Sequence, residues 1–270
     1  MIKPRVTGPL VIRLLALAAA ATCVWANPGS PAQPLRIVDF PTAGLYARGE
    51  YGFDMDLYGD GGLLFGVGVG IARLVSFGVS YGGIKFIGSG TPHMNPRPEV
   101  NIRVRVLEET LDLPAIALGF DSQGYGRYFE DDDFDEAETY REERYLVKSR
   151  GIYAVASKNW DVMGPFSLHG GVSYSLENEI DNDPTVYLGL IKTFEGTVEF
   201  GAEMDLAIND TRGNDAIVEE RPYLNLSVAW QVTDDFALAF KMRDLVTEER
   251  DGVDERRWNR GFCLSYRGQL

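Results

Sequence analysis

The sequence predicts an all-β protein, a transmembrane antiparallel up-and-down β-barrel of about 12 strands. Three observations lead there. From residue 45 to residue 270, apolar side chains alternate with small or polar ones. The first 26 residues have the layout of an export signal. The connections between alternating segments are short at one end and mostly long at the other.

The expected order is a signal peptide over 1–26, a short periplasmic segment over 27–44 and the barrel over 45–270. Lys3, Arg5 and Arg13 make a basic start, Leu14 to Val24 is nearly all apolar, and Val24-Trp25-Ala26 offers small residues for cleavage before Asn27. The apolar run is too short for ~30 Å of hydrocarbon, and Asn27-Pro28-Gly29 ends it. Lipid attachment at Cys23 is the alternative, but Ala20-Ala21-Thr22 lacks the leucine of a lipobox. Cleavage removes three of the 26 basic residues and none of the 40 acidic ones, leaving a formal charge of −17. Such a surface repels nucleic acid. Cys263 is then the lone cysteine, so no intrachain disulfide forms.

The strands follow by period 2. Ala47, Gly49, Tyr51, Phe53, Met55 and Leu57 oppose Arg48, Glu50, Gly52, Asp54 and Asp56. Phe65, Val67, Val69 and Ile71 oppose Gly66, Gly68, Gly70 and Ala72, and Val75, Phe77, Val79 and Tyr81 oppose Ser76, Gly78, Ser80 and Gly82. These glycines make one long helix over 61–84 the poorer reading. Further outward sets are Val100 to Val106, Ile116 to Phe120, Phe166 to Leu176, Val186 to Leu190, Val198 to Leu206, Leu224 to Trp230, Phe236 to Met242 and Phe262 to Tyr266. The segment 151–160 is ambiguous: either Ile152, Ala154 and Ala156 face out, or Tyr153 and Val155 do. With the amino terminus in the periplasm, short turns face inward and long loops outward. Trp160, Phe166, Phe194, Trp230, Phe236 and Tyr266 then gather at the inner rim as an aromatic girdle.

The final strand, Asn259 to Tyr266, sets a polar residue, then Gly261, then Leu264 and Tyr266 in the spacing of a signal for the outer-membrane assembly machinery. Four residues, Arg267 to Leu270, follow it. Ile87-Gly88-Ser89-Gly90, Asn95-Pro96-Arg97-Pro98, Pro114 to Gly119 and Ala156-Ser157-Lys158 carry a family likeness. Over Tyr81 to Trp160 the chain resembles the YjbH-type outer-membrane proteins linked to exopolysaccharide production. The resemblance implies the outer membrane of a Gram-negative cell, export or transport of polysaccharide, and no catalytic residue. Long members of that family carry further domains.

Inward charges supply the candidate site. Arg48, Glu50, Asp54, Asp56, Arg103, Arg105, Glu199, Glu203, Asp205, Lys241 and Arg243 share the lumen with His169. They either line an aqueous path for ions or short sugars, or form ion pairs filling a narrow barrel. The acidic run from Glu130 to Glu143 lacks the register of a calcium loop and reads as solvated charge. His169 lies near Ser167 and Ser173, yet catalysis needs an orienting acid converging on them, so the expectation is a barrel that is not an enzyme. No cofactor or metal is expected. The expected partners are outer-membrane lipid and lipopolysaccharide, the assembly machinery, and polysaccharide. The competing function is a non-conducting structural or adhesive barrel, with a barrel hydrolase third.

Overall fold

The computed structural model describes residues 34–130, 143–177, 181, 183–210, 222–246 and 259–270. The signal segment 1–26 and most of the acidic run, 131–142, lie outside the described residues. Fifteen strands are present among those described: β1 (Glu50–Tyr58), β2 (Gly62–Ala72), β3 (Val75–Ile84), β4 (His93–Met94), β5 (Glu99–Leu107), β6 (Ala115–Asp121), β7 (Tyr125–Phe129), β8 (Arg144–Val147), β9 (Gly151–Asp161), β10 (Pro165–Tyr174), β11 (Thr185–Phe194), β12 (Val198–Asp205), β13 (Tyr223–Gln231), β14 (Phe236–Arg243) and β15 (Asn259–Gln269).

Twelve of them close a barrel. Each pairs antiparallel with its neighbours in the order β2-β1-β15-β14-β13-β12-β11-β10-β9-β6-β5-β3, and β3 pairs back to β2. Closure leaves no open edge, the condition for strands in hydrocarbon. The 61–84 segment is two strands, joined in register from Leu63↔Gly83 to Ala72↔Val75. The one tight turn at the long-loop end joins β1 to β2. Asp60 and Gly61 both have positive φ, 57° and 62°, and Gly62 N donates to Gly59 O at 3.1 Å. Two successive left-handed residues suit a two-residue turn, and Asp-Gly is a sequence that tolerates them.

Alternation sorts the side chains as the sequence requires. Phe65, Leu118, Leu168, Leu188, Val228 and Phe262 are exposed on the outside, while Ser76, Arg103, Ser167, Tyr187, Glu203 and Asn225 are buried inside. An exposed apolar belt around a closed barrel is stable only against lipid. The ambiguous strand resolves with Ile152 outward, 58% exposed, and Tyr153 and Val155 inward at 2% each. Trp160, Phe194, Trp230 and Tyr266 are exposed at the short-turn end, whereas Phe166 and Phe236 are half-buried. Leu118 sits mid-strand between Val104 and Ala154. Leu118→Arg is expected to destabilise the lipid-embedded barrel by about 2–4 kcal/mol, as charge at the bilayer midplane does. Leu113→Arg, two residues before β6 in the short connection, costs about 0–1 kcal/mol by the same rule. Urea midpoints in lipid vesicles read both.

Two features depart from the sequence reading. The connection 122–145 is not wholly loop: β7 and β8 pair as a separate hairpin, with Tyr128 opposite Tyr145. Tyr128 and Tyr145 are buried, their rings 4.9 Å apart edge to face. The second feature is the stretch just before β1, expected from the sequence as part of a short periplasmic segment over 27–44. Residues 34–46 fold inside the barrel.

Candidate functional site: a hairpin in the lumen

The lumen segment is a tight hairpin. Ile37 N donates to Phe40 O at 2.9 Å and Thr42 N to Leu35 O at 3.1 Å, and Arg36 bridges Pro41. The Thr42 hydroxyl closes its base on Pro34 O. Ile37, Val38, Phe40 and Ala43 are buried and form one apolar cluster with Ala115, Ala117, Tyr153, Val155, Tyr187 and Ile191 of the wall. Phe40 stacks on Tyr187, centroids 4.8 Å apart, with the Arg150 guanidinium 4.1 Å from its ring centre. A lumen meant only for water has no use for such an apolar wall, since burial is what rewards it.

Small residues give the hairpin room. A side chain at Gly52 or Gly68 would strike the Tyr46 ring, and one at Gly70 would strike Ala47 O. One at Gly189 would strike the Ile37 side chain, and one at Gly201 would strike Ser227 Oγ and crowd Ile37 O.

The predicted lumen charges hold this hairpin at both ends. At its base, Arg103 Nη1 donates to Leu35 O (2.9 Å) and Gly44 O (2.7 Å), and Arg103 Nε donates to the Tyr153 hydroxyl. Arg105 reaches Ala43 O through Nε and Nη2. At its tip, Glu203 accepts the N–H groups of Val38, Asp39 and Phe40 at 2.8–3.0 Å. Three successive N–H groups on one carboxylate make an anion nest. The Asp39 carboxylate takes Arg243 Nε at 2.6 Å and Nη2 at 2.8 Å, with Lys241 Nζ at 3.4 Å. Asp56 faces the same two cations, at 2.8 Å from Arg243 and 2.7 Å from Lys241. Asp205 binds Arg150 at 2.7 Å and accepts from the Thr185 hydroxyl.

The other predicted positions fall elsewhere. Arg48 precedes β1 and is exposed; its carbonyl accepts from Gln269 Nε2. Glu50 accepts from Ala47 N and lies 3.9 Å from Arg267. Asp54 is exposed and accepts from the Ser265 hydroxyl at 2.6 Å, and Glu199 is half-buried on β12. His169 is buried between two serines, Nδ1 at 2.8 Å from Ser157 Oγ and Nε2 at 2.9 Å from Ser167 Oγ. Ser157 Oγ also accepts the Ala43 N–H at 2.8 Å, so it links the imidazole to the hairpin. This network braces the hairpin base.

The assembly-signal residues lie in β15. Asn259 Oδ1 accepts Gly59 N, Gly261 packs against Leu57 O, Leu264 pairs with Met55, and Tyr266 pairs with Phe53. Arg267 to Gln269 continue the strand, Gly268 pairing with Tyr51 and Gln269 with Glu50.

The long-loop end has its own closure, which the sequence reading missed. Arg144 of β8 is fully buried, forks onto Asp210 at 2.6 and 3.1 Å, and Asp210 also accepts the Tyr223 hydroxyl. On the β7 side Tyr125 packs on Tyr58, centroids 4.9 Å apart, and on the Arg243 guanidinium at 4.3 Å. Arg243 therefore touches both the lumen hairpin and the loop hairpin. Glu177 accepts N–H groups from Tyr145 and Ser149 beside this hairpin. Burial pushes its carboxyl up to about 7, against the hydrogen bonds that pull it down. The folded protein thus keeps a proton that the unfolded chain releases near 4.5. This group's stabilisation is full below pH 4.5 and is lost as pH rises to about 7. Protease protection of the β7–β8 hairpin is expected to fall across that window in the wild type, and Glu177→Gln is expected to flatten the fall.

The fold and its interior define a class: a transmembrane β-barrel whose lumen is filled by its own hairpin. No protein-family model and no curated protein matches the chain. Solved structures similar to it include the KdgM porin, 8% identical, covering 80% of this chain and 98% of that chain with a TM-score of 0.48. The NanC porin is 9% identical, covering 82% and 99%, with a TM-score of 0.44. The Acinetobacter baumannii outer membrane protein Omp33 is 7% identical, covering 84% and 99%, with a TM-score of 0.43.

Proposed function

We propose that this chain is an outer-membrane barrel of a Gram-negative cell that moves a polar solute through a lumen its own hairpin holds shut. The observation that carries this reading is how the hairpin is held. Its backbone and Asp39 are bound by wall charges, Arg103, Arg105, Glu203, Lys241 and Arg243, rather than by apolar packing alone. A barrel that only needs filling gains nothing from buried charge, because desolvation offsets the attraction. A wall that meets water whenever the hairpin leaves needs that charge.

In this reading residues 1–26 direct export, short turns face the periplasm, and the apolar belt meets lipid with lipopolysaccharide outside. Asn259, Gly261, Leu264 and Tyr266 present β15 to the assembly machinery. The resemblance over Tyr81 to Trp160 to the YjbH-type proteins favours polysaccharide as the solute. The many charge pairs and hydrogen bonds that hold the hairpin favour one second reading, a non-conducting structural barrel.

Liposome swelling in sugar solution separates the two. Glu203→Ala removes the acceptor of three hairpin N–H groups and is expected to admit sugar where the intact chain admits none. A folded Glu203→Ala barrel as tight as the intact one would leave the structural reading standing.

A further inference from the structure

Asp39 sits in a receptor that belongs otherwise to the barrel and the loop hairpin. Arg243 grips both its oxygens and Lys241 stands at 3.4 Å. Next to this fork, Arg243 Nη1, Asp56 Oδ1 and the Tyr125 hydroxyl are buried without a hydrogen-bond partner. Burying polar groups unpaired is costly, and three beside one carboxylate is a concentration that demands a reason. The Tyr125 ring lies over the same guanidinium, with Tyr58 behind it. Gly261 packs closely on the other side, where a Cβ would lie 2.6 Å from Leu57 O and 2.8 Å from Arg243 Nη1.

We propose that Arg243, Lys241, Asp56 and Tyr125 form a subsite for a carboxylate-bearing sugar, which Asp39 occupies in this structure. The parts match that chemistry. The guanidinium fork takes a carboxylate in two parallel bonds. Nη1 donates to, Asp56 Oδ1 accepts from, and Tyr125 does either with ring hydroxyls. Charge agrees as well: without Asp39, two cations face the one carboxylate of Asp56, and the site attracts an anion. The hairpin is thus a tethered competitor, and a sugar acid that takes its place favours the unplugged state. This deepens the transport reading by naming the solute class, and it rests on that reading only for the ligand's access to the lumen.

The test is equilibrium dialysis of the full-length folded protein in detergent with glucuronate, with glucose and acetate as controls. Asp39→Asn empties the fork of charge. Arg103→Gln loosens the hairpin base and leaves the fork untouched. Both are expected to bind glucuronate about tenfold more tightly than wild type, because the competent state is more populated. Asp39→Asn combined with Arg243→Gln is expected to lose that binding. Glucose is expected not to bind, and acetate to bind more weakly than glucuronate. Glucuronate binding unchanged in a folded Asp39→Asn or Arg103→Gln protein overturns the proposal, and so does acetate binding as tightly as glucuronate. If Asp39→Asn does not fold, Arg103→Gln alone decides. Dialysis requires no conduction, so a silent channel leaves this result standing and a failed binding leaves the transport reading standing.

Discussion

A chain lacking residues 34–44 is expected to give steady open steps in planar bilayers where the intact chain is silent. The twelve-strand wall owes its closure to its own ladder, in which every strand pairs on both sides. The hairpin adds no rung to that ladder. Its removal strips the apolar partner from Tyr153, Val155, Tyr187 and Ile191 and leaves Arg103, Arg105 and Glu203 facing water. Solvated charges cost little, whereas the same charges buried and unpaired cost several kcal/mol, on the order of the values for broken buried pairs. Water therefore fills the space. A barrel of this size lies between filled eight-strand barrels and wide porins, so the steps are expected to be small and ohmic.

The largest stability loss is expected at the opposite closure. Arg144 is fully buried, and its bidentate bond to Asp210 joins β8 to the segment after β12. Arg144→Met leaves Asp210 buried, still accepting from the Tyr223 hydroxyl. Breaking a buried pair from one side costs about 3–5 kcal/mol, and the surviving hydroxyl places this case near the lower figure. The loss is expected as early protease cleavage within the β7–β8 hairpin while the barrel stays intact. Replacing both partners, Arg144→Met with Asp210→Leu, is expected to restore most of the protection, because no charge is then left buried alone.

The barrel was legible because lipid on one side and a lumen on the other impose period 2 on every strand. Phe65, Val67 and Ile71 against Gly66, Gly68 and Gly70 need no structure to be sorted. The hairpin was not legible for the same physical reason. Ile37, Val38 and Phe40 are buried by wall on all sides, so they show no face and no period. Its traces were present but ambiguous. Gly52, Gly68, Gly70, Gly189 and Gly201 marked close approach without naming what approaches. Tyr153 and Val155 confused the register of β9 because both of its faces meet apolar groups, lipid outside and hairpin inside. Inward charges such as Glu203 and Arg243 stand out in the sequence because each breaks an apolar pattern visibly. Asp39 and Arg150 sit outside the strands, where charge is ordinary and pairing leaves no mark on the sequence.

The hairpin's place in the membrane-embedded protein is tested most directly by cross-linking Ala43→Cys to Ser157→Cys in a Cys263→Ser background. Ala43 N lies 2.8 Å from Ser157 Oγ, between the hairpin base and β9. Mild oxidation of the folded protein in lipid vesicles is expected to join the two cysteines in nearly every molecule, seen as a shifted band that reductant reverses. Two free, separately labelled cysteines in a folded barrel would contradict a hairpin resting in the lumen.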